Sequence, residues 1–153
     1  MQGVGVVSVL VLYFSGTGNT HYVARIVAER IGRLVKDVDM FSIEQLPPQR
    51  LAEYDVVVAG FPVYGLDSPQ LFQEYFREVP AVQHVGVFFF CTKGGIAGGA
   101  LRRNLERVAS KGYVPLGGVA VPMPGTDGLM MLRKNSWFVR RALAKDYGHL
   151  PAV

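Results

Sequence analysis

Five stretches of the chain are apolar almost without interruption and are rich in Val, Phe and Tyr. Strands that are covered on both faces have this composition, whereas strands with one solvent-exposed face alternate apolar and polar residues. The stretches therefore predict five buried strands, which form a parallel sheet, at residues 5–14, 35–40, 55–61, 84–91 and 113–121.

Between these strands, apolar residues recur with the spacing of amphipathic helices. The periodic segments predict helices at residues 19–32, 69–78, 97–111 and, after the last strand, 129–145. Gly32 and Gly112 fall where the first and third helices should end, and Pro47-Pro48 predicts a loop before the third strand. Alternating strands and helices in 153 residues predict a single α/β domain with three layers, doubly wound in the strand order 2-1-3-4-5.

Six small or hydroxyl-bearing residues follow the first strand directly, and we call them the phosphate loop: Ser15, Gly16, Thr17, Gly18, Asn19 and Thr20. The two glycines allow a sharp turn and a close approach to a ligand, and the other four side chains offer short hydrogen-bonding groups beside a helix start. The loop contains no Lys or Arg, so neutral donors and the helix dipole would hold the anion. The loop therefore predicts a site for a phosphate ester.

Two other kinds of phosphate-binding loop differ from this one at specific positions. A Walker loop ends in Gly-Lys-Ser/Thr, whereas Gly18 is followed here by Asn19 and Thr20. The dinucleotide fingerprint has a third glycine three residues after the second, and that position is His21. A single phosphate fits better than a nucleoside triphosphate or a pyrophosphate. An ordinary turn with one capping hydroxyl would explain only one or two of the six residues.

The phosphate loop resembles that of the flavodoxin family, which has the pattern Ser/Thr-x-Thr-Gly-x-Thr and binds flavin mononucleotide (FMN). Residues 15–20 match every specified position. Over roughly residues 5–121 the chain is similar to flavodoxin-type domains that contain Phe-Ser-Gly-Thr-Gly-Asn-Thr and Pro-Val-Tyr-Gly, which in related proteins can precede a ferredoxin domain. The resemblance implies a flavodoxin-like fold, FMN as cofactor and electron transfer as function.

The loop after the third strand should complete the site. Pro62 ends the strand, Tyr64 can offer a flat aromatic face, and Gly65 can adopt positive φ. The resemblance implies that this loop packs against the isoalloxazine ring, with stacking and peptide flipping at Tyr64 and Gly65; its candidate residues are Pro62, Val63, Tyr64 and Gly65. Alternatively, Tyr64 is a surface residue that caps the following helix. Asp67 or Ser68 is more simply interpreted as the N-cap of that helix, ahead of Pro69.

The loop after the fourth strand is rich in glycine, and its candidate residues are Thr92, Lys93, Gly94 and Gly95. Its backbone N–H groups could donate to the pyrimidine edge of a flavin, where negative charge gathers on full reduction. A Lys93 ammonium near that charge would raise the reduction potential, whereas typical flavodoxins have acidic surroundings and very negative potentials. Alternatively, Lys93 is solvent-exposed and has no role, and the glycines allow tight packing of a helix on the sheet.

No catalytic or metal-binding residues are predicted. Cys91 is the single cysteine, which argues against a disulfide framework, a structural zinc site and an iron–sulfur cluster within this chain, and it is interpreted as a buried structural residue. The apolar N-terminal stretch has no preceding Lys or Arg, and apolar runs fall far short of the roughly 20 residues of a membrane span. We therefore expect a cytoplasmic protein without a transmembrane segment.

The charge of the chain is concentrated at its end. Residues 129–153 hold five Lys or Arg against Asp146 and account for the whole net charge of +4. The basic helix predicted at 129–145 either packs on the sheet with a solvated basic face or docks an acidic redox partner, such as a small ferredoxin or a reductase. Nucleic acid is disfavoured as a partner because no recognition motif is present.

Two redox functions remain open for the whole chain, and a third possibility is a non-redox binding module that has lost flavin and would be colourless. The preferred one is an FMN-binding electron-transfer flavoprotein, since its chemistry needs no acid–base residues and none are evident. The alternative is an FMN-dependent quinone or NAD(P)H oxidoreductase, which would need an open substrate face above the flavin. The pattern of residues does not predict the physiological donor and acceptor or the oligomeric state.

Overall fold

The computed structural model describes residues 5–94 and 98–123, and its centre is a parallel sheet. The strands are β1 (Ser8–Tyr13), β2 (Asp37–Ser42), β3 (Val56–Pro62), β4 (Gly86–Lys93) and β5 (Val114–Pro122). They lie in the order β2-β1-β3-β4-β5, and every neighbouring pair is parallel. The predicted sheet and strand order are therefore confirmed, with strand bounds within three residues of those predicted.

Three α-helices and one 3₁₀ helix connect the strands: α1 (Asn19–Ile31), α2 (Gln70–Glu78), α3 (Ala100–Ala109) and the 3₁₀ helix Pro48–Glu53. The prediction of a simple loop at Pro47-Pro48 was incomplete, because Pro48 begins this 3₁₀ helix. Proline suits a first helical position, where its fixed φ is already helical. Leu51 anchors the 3₁₀ helix in the core. The helix predicted at 129–145 lies outside the described residues.

The sheet separates two hydrophobic clusters. Leu10 and Leu12 of β1 point into the cluster that includes α2, α3 and the 3₁₀ helix, and Val9 and Val11 point into the cluster that includes α1. Alternate residues of a strand face opposite sides, so a strand covered on both faces is apolar throughout. The three-layer α/β/α arrangement is therefore confirmed for the described part of the chain.

Aromatic packing fixes β3 and β4 against α2. The ring centroids of Phe61 and Phe72 are 4.9 Å apart, and Phe89 and Phe76 are 5.5 Å apart. All four rings are fully buried, and each contributes about 2–3 kcal/mol through removal of apolar surface from water. This packing makes the ends of β3 and β4 a rigid support for the loops that follow them.

Because the strands are parallel, their carboxyl ends meet at one edge of the sheet. The chain crosses from β1 to β2 on one side and reaches β3 on the other, so the switch point of the sheet lies between β1 and β3. The loops after β1, β3 and β4 leave from three adjacent strands at this edge. Within residues 5–94 and 98–123, none of the helices has the length and apolar character that crossing a bilayer requires.

Candidate functional site at the carboxyl edge of the sheet

The phosphate loop forms a tight turn that leads into α1. The Gly18 N–H donates to Ser15 Oγ at 3.0 Å, and the Tyr22 N–H donates to the Gly18 carbonyl at 3.0 Å. Gly18 has φ +97° at the N-cap of α1, a conformation that favours glycine. No side chain of the described residues caps this helix end. An anion bound by the loop would therefore meet the positive end of the α1 dipole.

Two threonine hydroxyls join the start of α1 to the end of β4. Thr20 Oγ1 and Thr92 Oγ1 are 2.8 Å apart, and both side chains are buried. A hydroxyl can donate one hydrogen and accept others. One of the two hydroxyl hydrogens is used within the pair, and the other can be donated to a ligand oxygen. Gly16 and Thr17, between the strand and this pair, are exposed.

A two-residue turn follows β3, and we call Tyr64–Asp67 the Tyr64 turn. The Tyr64 N–H donates to the Asp67 carbonyl at 2.7 Å, and the Asp67 N–H donates to the Tyr64 carbonyl at 3.0 Å. Gly65 has φ +54° and Leu66 has φ +68°, as in the primed turns that connect paired strands. The positive φ predicted for Gly65 is therefore confirmed.

Tyr64 reaches from this turn to the phosphate loop. Its side chain is half-exposed, and a Cβ atom placed on Gly16 would lie 2.5 Å from the Tyr64 hydroxyl oxygen. Only a residue without a Cβ allows this approach. The two predicted segments, the phosphate loop and the Tyr64 turn, are therefore brought into contact.

Pro62 and Val63 form the base of the same loop. Pro62 is the last residue of β3 and is aligned with Thr92 of β4. The Val63 N–H donates to the Thr92 carbonyl at 2.9 Å, and the Val63 side chain packs against the larger core cluster. Both residues support the site, and the Val63 N–H is already used within the fold.

The expected cap of α2 by Asp67 or Ser68 was wrong. The N-cap position is Pro69, and no side chain of the described residues caps it. Asp67 Oδ1 accepts from the Ser68 N–H at 2.7 Å, and Asp67 Oδ2 accepts from Arg103 Nε at 3.0 Å. The Asp67 carboxylate is therefore bonded to the Ser68 N–H and to a guanidinium of α3, and it does not cap α2.

Arg103 and Asn104, at the middle of α3, are site-supporting residues that the sequence analysis missed. Arg103 Nη2 also donates to the Leu66 carbonyl at 2.6 Å. Asn104 is buried, and its Nδ2 donates to Ser68 Oγ at 3.1 Å and to the Ala100 carbonyl at 2.9 Å. In the sequence both residues look like the polar face of an amphipathic helix, and no local signal connects them to residues 66–68.

The loop after β4 is described in part. Thr92 lies in the buried hydroxyl pair, Lys93 is partly buried with its carbonyl accepting from the Met123 N–H at 2.7 Å, and Gly94 is exposed. Gly95 lies outside the described residues. The donation of backbone N–H groups from this loop to a ligand stays a prediction.

Cys91 precedes this loop, and its chemistry fits a structural role. Its side chain has no exposed surface. Burial raises the pKa of the Cys91 thiol to about 11, although the nearby Lys93 opposes this shift. The thiol is therefore neutral near pH 7, and the nucleophilic thiolate is suppressed.

The donors at this edge suit a flat, uncharged ring that carries one phosphate. The phosphate loop supplies neutral hydroxyls and a helix N-terminus, and the half-exposed Tyr64 supplies an aromatic face beside it. FMN has these two parts, and the residues present fit it. The residues that could hold it are those of the phosphate loop, the Tyr64 turn and the end of β4.

Comparison with known proteins agrees with this geometry. Residues 10–101 match the model of the family described as Flavodoxin domain. A probable flavodoxin 1 of Bacillus subtilis (strain 168) is 30% identical over 87 residues, which cover 56% of this chain and 55% of that protein. The match thus spans about half the length of the curated relative.

Solved structures share the fold. Megasphaera elsdenii flavodoxin superimposes with a TM-score of 0.68 at 24% identity, covering 74% of this chain and 85% of the flavodoxin. Oxidised flavodoxin 1 from Bacillus cereus gives a TM-score of 0.65 at 21% identity, covering 90% of this chain and 92% of the other. At these identities the likeness concerns the fold. The match to the family model extends over more than half of the sequence, and the chain belongs to the flavodoxin domain family.

Proposed function

We propose that the protein binds FMN at the carboxyl edge of the sheet and acts as an electron-transfer flavoprotein. Membership of the flavodoxin family supports both the cofactor and the function. The observation that carries the proposal is the contact between the phosphate loop and the half-exposed Tyr64 ring at the switch point. A ligand with a phosphate at one end and a flat ring at the other would use both features.

The phosphate of FMN is held by the phosphate loop: Ser15, Gly16, Thr17, Gly18, Asn19 and Thr20. Hydrogen bonds to a charged acceptor contribute about 1.5–3 kcal/mol each, and the helix dipole adds about 0.3–2 kcal/mol. The loop needs no Lys or Arg because several such donors act together. The buried hydroxyl pair of Thr20 and Thr92 orients one of them.

The Tyr64 turn and the loop after β4 would hold the isoalloxazine ring. Tyr64 would offer its aromatic face, Gly65 would give the adjacent backbone its freedom, and Pro62 and Val63 would form the supporting base. Gly94 and Gly95 would donate backbone N–H groups to the pyrimidine edge, and Thr92 and Lys93, the last residues of β4, would support them. When bound, FMN supplies the one-electron and two-electron chemistry, and the protein positions the ring and excludes water from one side of it.

Lys93 sets the electrostatic character of the site. A cation near the pyrimidine edge stabilises the reduced, negatively charged ring relative to the oxidised ring. We therefore expect a reduction potential above that of carriers with an acidic site. The partner is a redox protein; an acidic ferredoxin or reductase, expected from the basic residues 129–145, stays a prediction.

FMN titration of the purified protein tests this function, with the quenching of flavin fluorescence as the measured signal. We expect a one-to-one complex, and we expect Thr17→Ala to weaken it about tenfold or more, because one hydrogen bond to the phosphate is lost. Thr17 is exposed, so the substitution leaves the fold intact. Ser110→Ala, which removes a hydroxyl at the opposite edge of the sheet, is the control and should leave the affinity unchanged. Absence of a complex at excess FMN would contradict the proposal.

Stepwise reduction of the complex distinguishes the carrier from the enzyme. Two separate one-electron steps in the visible spectrum are expected for a carrier. Rapid oxidation of NADH or NADPH with a quinone, without separate steps, would instead support an FMN-dependent quinone or NAD(P)H oxidoreductase.

A further inference from the structure

The Tyr64 turn contains an unfavourable backbone conformation. Leu66 has φ +68°, in the left-handed region where the Cβ atom of an L-residue approaches its own carbonyl group. The Leu66 side chain is 53% exposed, so burial in the core does not compensate for this conformation. Such a conformation persists only where surrounding contacts determine it, and here they are the two hydrogen bonds within the turn and the contacts that α3 makes with it.

Arg103 holds the turn through two groups of its guanidinium. Its Nε lies 3.0 Å from Asp67 Oδ2, and its Nη2 lies 2.6 Å from the Leu66 carbonyl oxygen. The two acceptors belong to consecutive residues of the turn. A planar guanidinium matches this pair of acceptors, whereas the single ammonium group of a lysine cannot reproduce the geometry.

The helix beneath Arg103 is itself fixed to the same loop. The next residue, Asn104, is buried and bonds to Ser68 Oγ. Two residues before α3, a Cβ atom on Gly98 would lie 2.8 Å from the Leu66 carbonyl oxygen. Arg103 therefore acts from a base that cannot easily shift relative to the turn.

The other end of the turn is Tyr64. Both backbone hydrogen bonds of the turn join Tyr64 to Asp67, so the position of Tyr64 depends on where Asp67 is held. The Tyr64 hydroxyl in turn lies against Gly16. A continuous set of contacts thus runs from Arg103 through Asp67 and Tyr64 to the phosphate loop.

We propose that Arg103 is a positioning residue for the flavin, which fixes the Tyr64 turn so that the Tyr64 ring is already oriented for stacking. This role rests on the proposed FMN function and assigns a residue to it that does not contact the ligand. Without Arg103 the turn relaxes. FMN binding must then order Tyr64, and the loss of conformational entropy weakens the binding.

The test compares the FMN dissociation constants of Arg103→Gln, Arg103→Lys and a matched control, Arg102→Gln. The control removes the same charge from the neighbouring position of the same helix, where the side chain is 79% exposed and contacts Glu106 at 3.7 Å. We expect both Arg103 variants to bind FMN about five- to tenfold more weakly, and the control to stay within about twofold. Thermal unfolding of each FMN-free variant shows whether it is folded.

A second measurement separates positioning from a general loss of structure. In a Tyr64→Ala background, Arg103→Gln should change the dissociation constant less than about twofold, because the ring that it positions is gone. If Arg103→Gln does not fold, Asp67→Asn replaces it, since this change weakens the ion pair and keeps an acceptor for the Ser68 N–H.

Three outcomes overturn the role of Arg103. One is unchanged FMN affinity in the Arg103 variants. Another is a loss of FMN affinity through Arg103→Gln that is equal in the wild-type and Tyr64→Ala backgrounds. A wild-type protein that fails to bind FMN overturns the proposed function as well. Wild-type binding with unchanged variants overturns only the role of Arg103, so the two failures are distinguishable.

Discussion

The phosphate loop and the Tyr64 turn lie at the same edge of the sheet but are held by different kinds of contact. In the phosphate loop, the Gly18 N–H bonds to Ser15 Oγ three residues away. The Tyr64 turn depends on Arg103, which lies 36 residues beyond Asp67. The Tyr64 turn also has two local hydrogen bonds between Tyr64 and Asp67, but unlike the phosphate loop it is held in addition by a charged side chain from another part of the chain.

Asn104→Ala should lower the free energy of unfolding more than any other single substitution at these two regions. The substitution removes a buried amide that bonds to Ser68 Oγ and to the Ala100 carbonyl, and it leaves the Ser68 hydroxyl buried. We expect the free energy of unfolding, measured by urea denaturation without FMN, to fall by about 2–3 kcal/mol. Ser68→Ala removes only one of the partners and should lower it by about 1 kcal/mol.

Asn104→Ala also tests the separation of the two regions. In NMR spectra it should disturb the backbone amide signals of the Tyr64 turn more than those of Ser15 and Gly18. Equal disturbance of both regions would show that they form one cooperative unit and would remove the contrast between them.

Gly98→Ala and Gly18→Ala compare the two regions directly. Both glycines have positive φ, but a Cβ on Gly98 would lie 2.8 Å from Leu66 atoms, whereas nothing lies within 4 Å of a Cβ on Gly18. Gly18→Ala should therefore cost only backbone strain, about 1 kcal/mol. Gly98→Ala should cost about 2 kcal/mol, since it also displaces the Tyr64 turn. Thermal unfolding that gives the reverse order would contradict the different support of the two regions.

Thr20→Val should have a smaller effect on stability than Asn104→Ala or Gly98→Ala. It removes one hydroxyl of the buried pair and leaves Thr92 Oγ1 unsatisfied, which costs about 1 kcal/mol. The double variant, Thr20→Val with Thr92→Val, should cost less than the sum of the two single variants, because no unpaired hydroxyl remains. If the losses of stability of the two single variants in denaturant titrations add up to that of the double variant, the two hydroxyls do not stabilise each other.

The fold was predictable from the sequence because its signals are repeated and local. Each buried strand is an apolar run, each helix has its own periodicity, and the alternation of the two dictates a doubly wound sheet. The 3₁₀ helix at Pro48 was missed since six residues are too few to show a period.

The candidate site was predictable only in part. The tight turn of the phosphate loop and the positive φ of Gly65 were predictable, because the residue types there suit a particular backbone conformation. The contacts of Arg103 could not be found, because nothing near position 103 specifies which carboxylate it will reach. The predicted cap at Asp67 was wrong for the same reason. The Asp67 carboxylate pairs with the guanidinium of Arg103, which lies far away in the sequence, and does not cap α2.

The burial of Cys91 protects its thiol from covalent modification. Its thiol is inaccessible and neutral near pH 7, so oxidants and electrophiles can modify it only in molecules that have opened. Because burial raises the pKa of Cys91 from 9.0 to about 11, the thiol of an unfolded molecule ionises first as the solution becomes alkaline. The stabilising contribution of the neutral buried thiol is therefore present below about pH 9 and is lost between about pH 9 and 11, where ionisation favours the open chain.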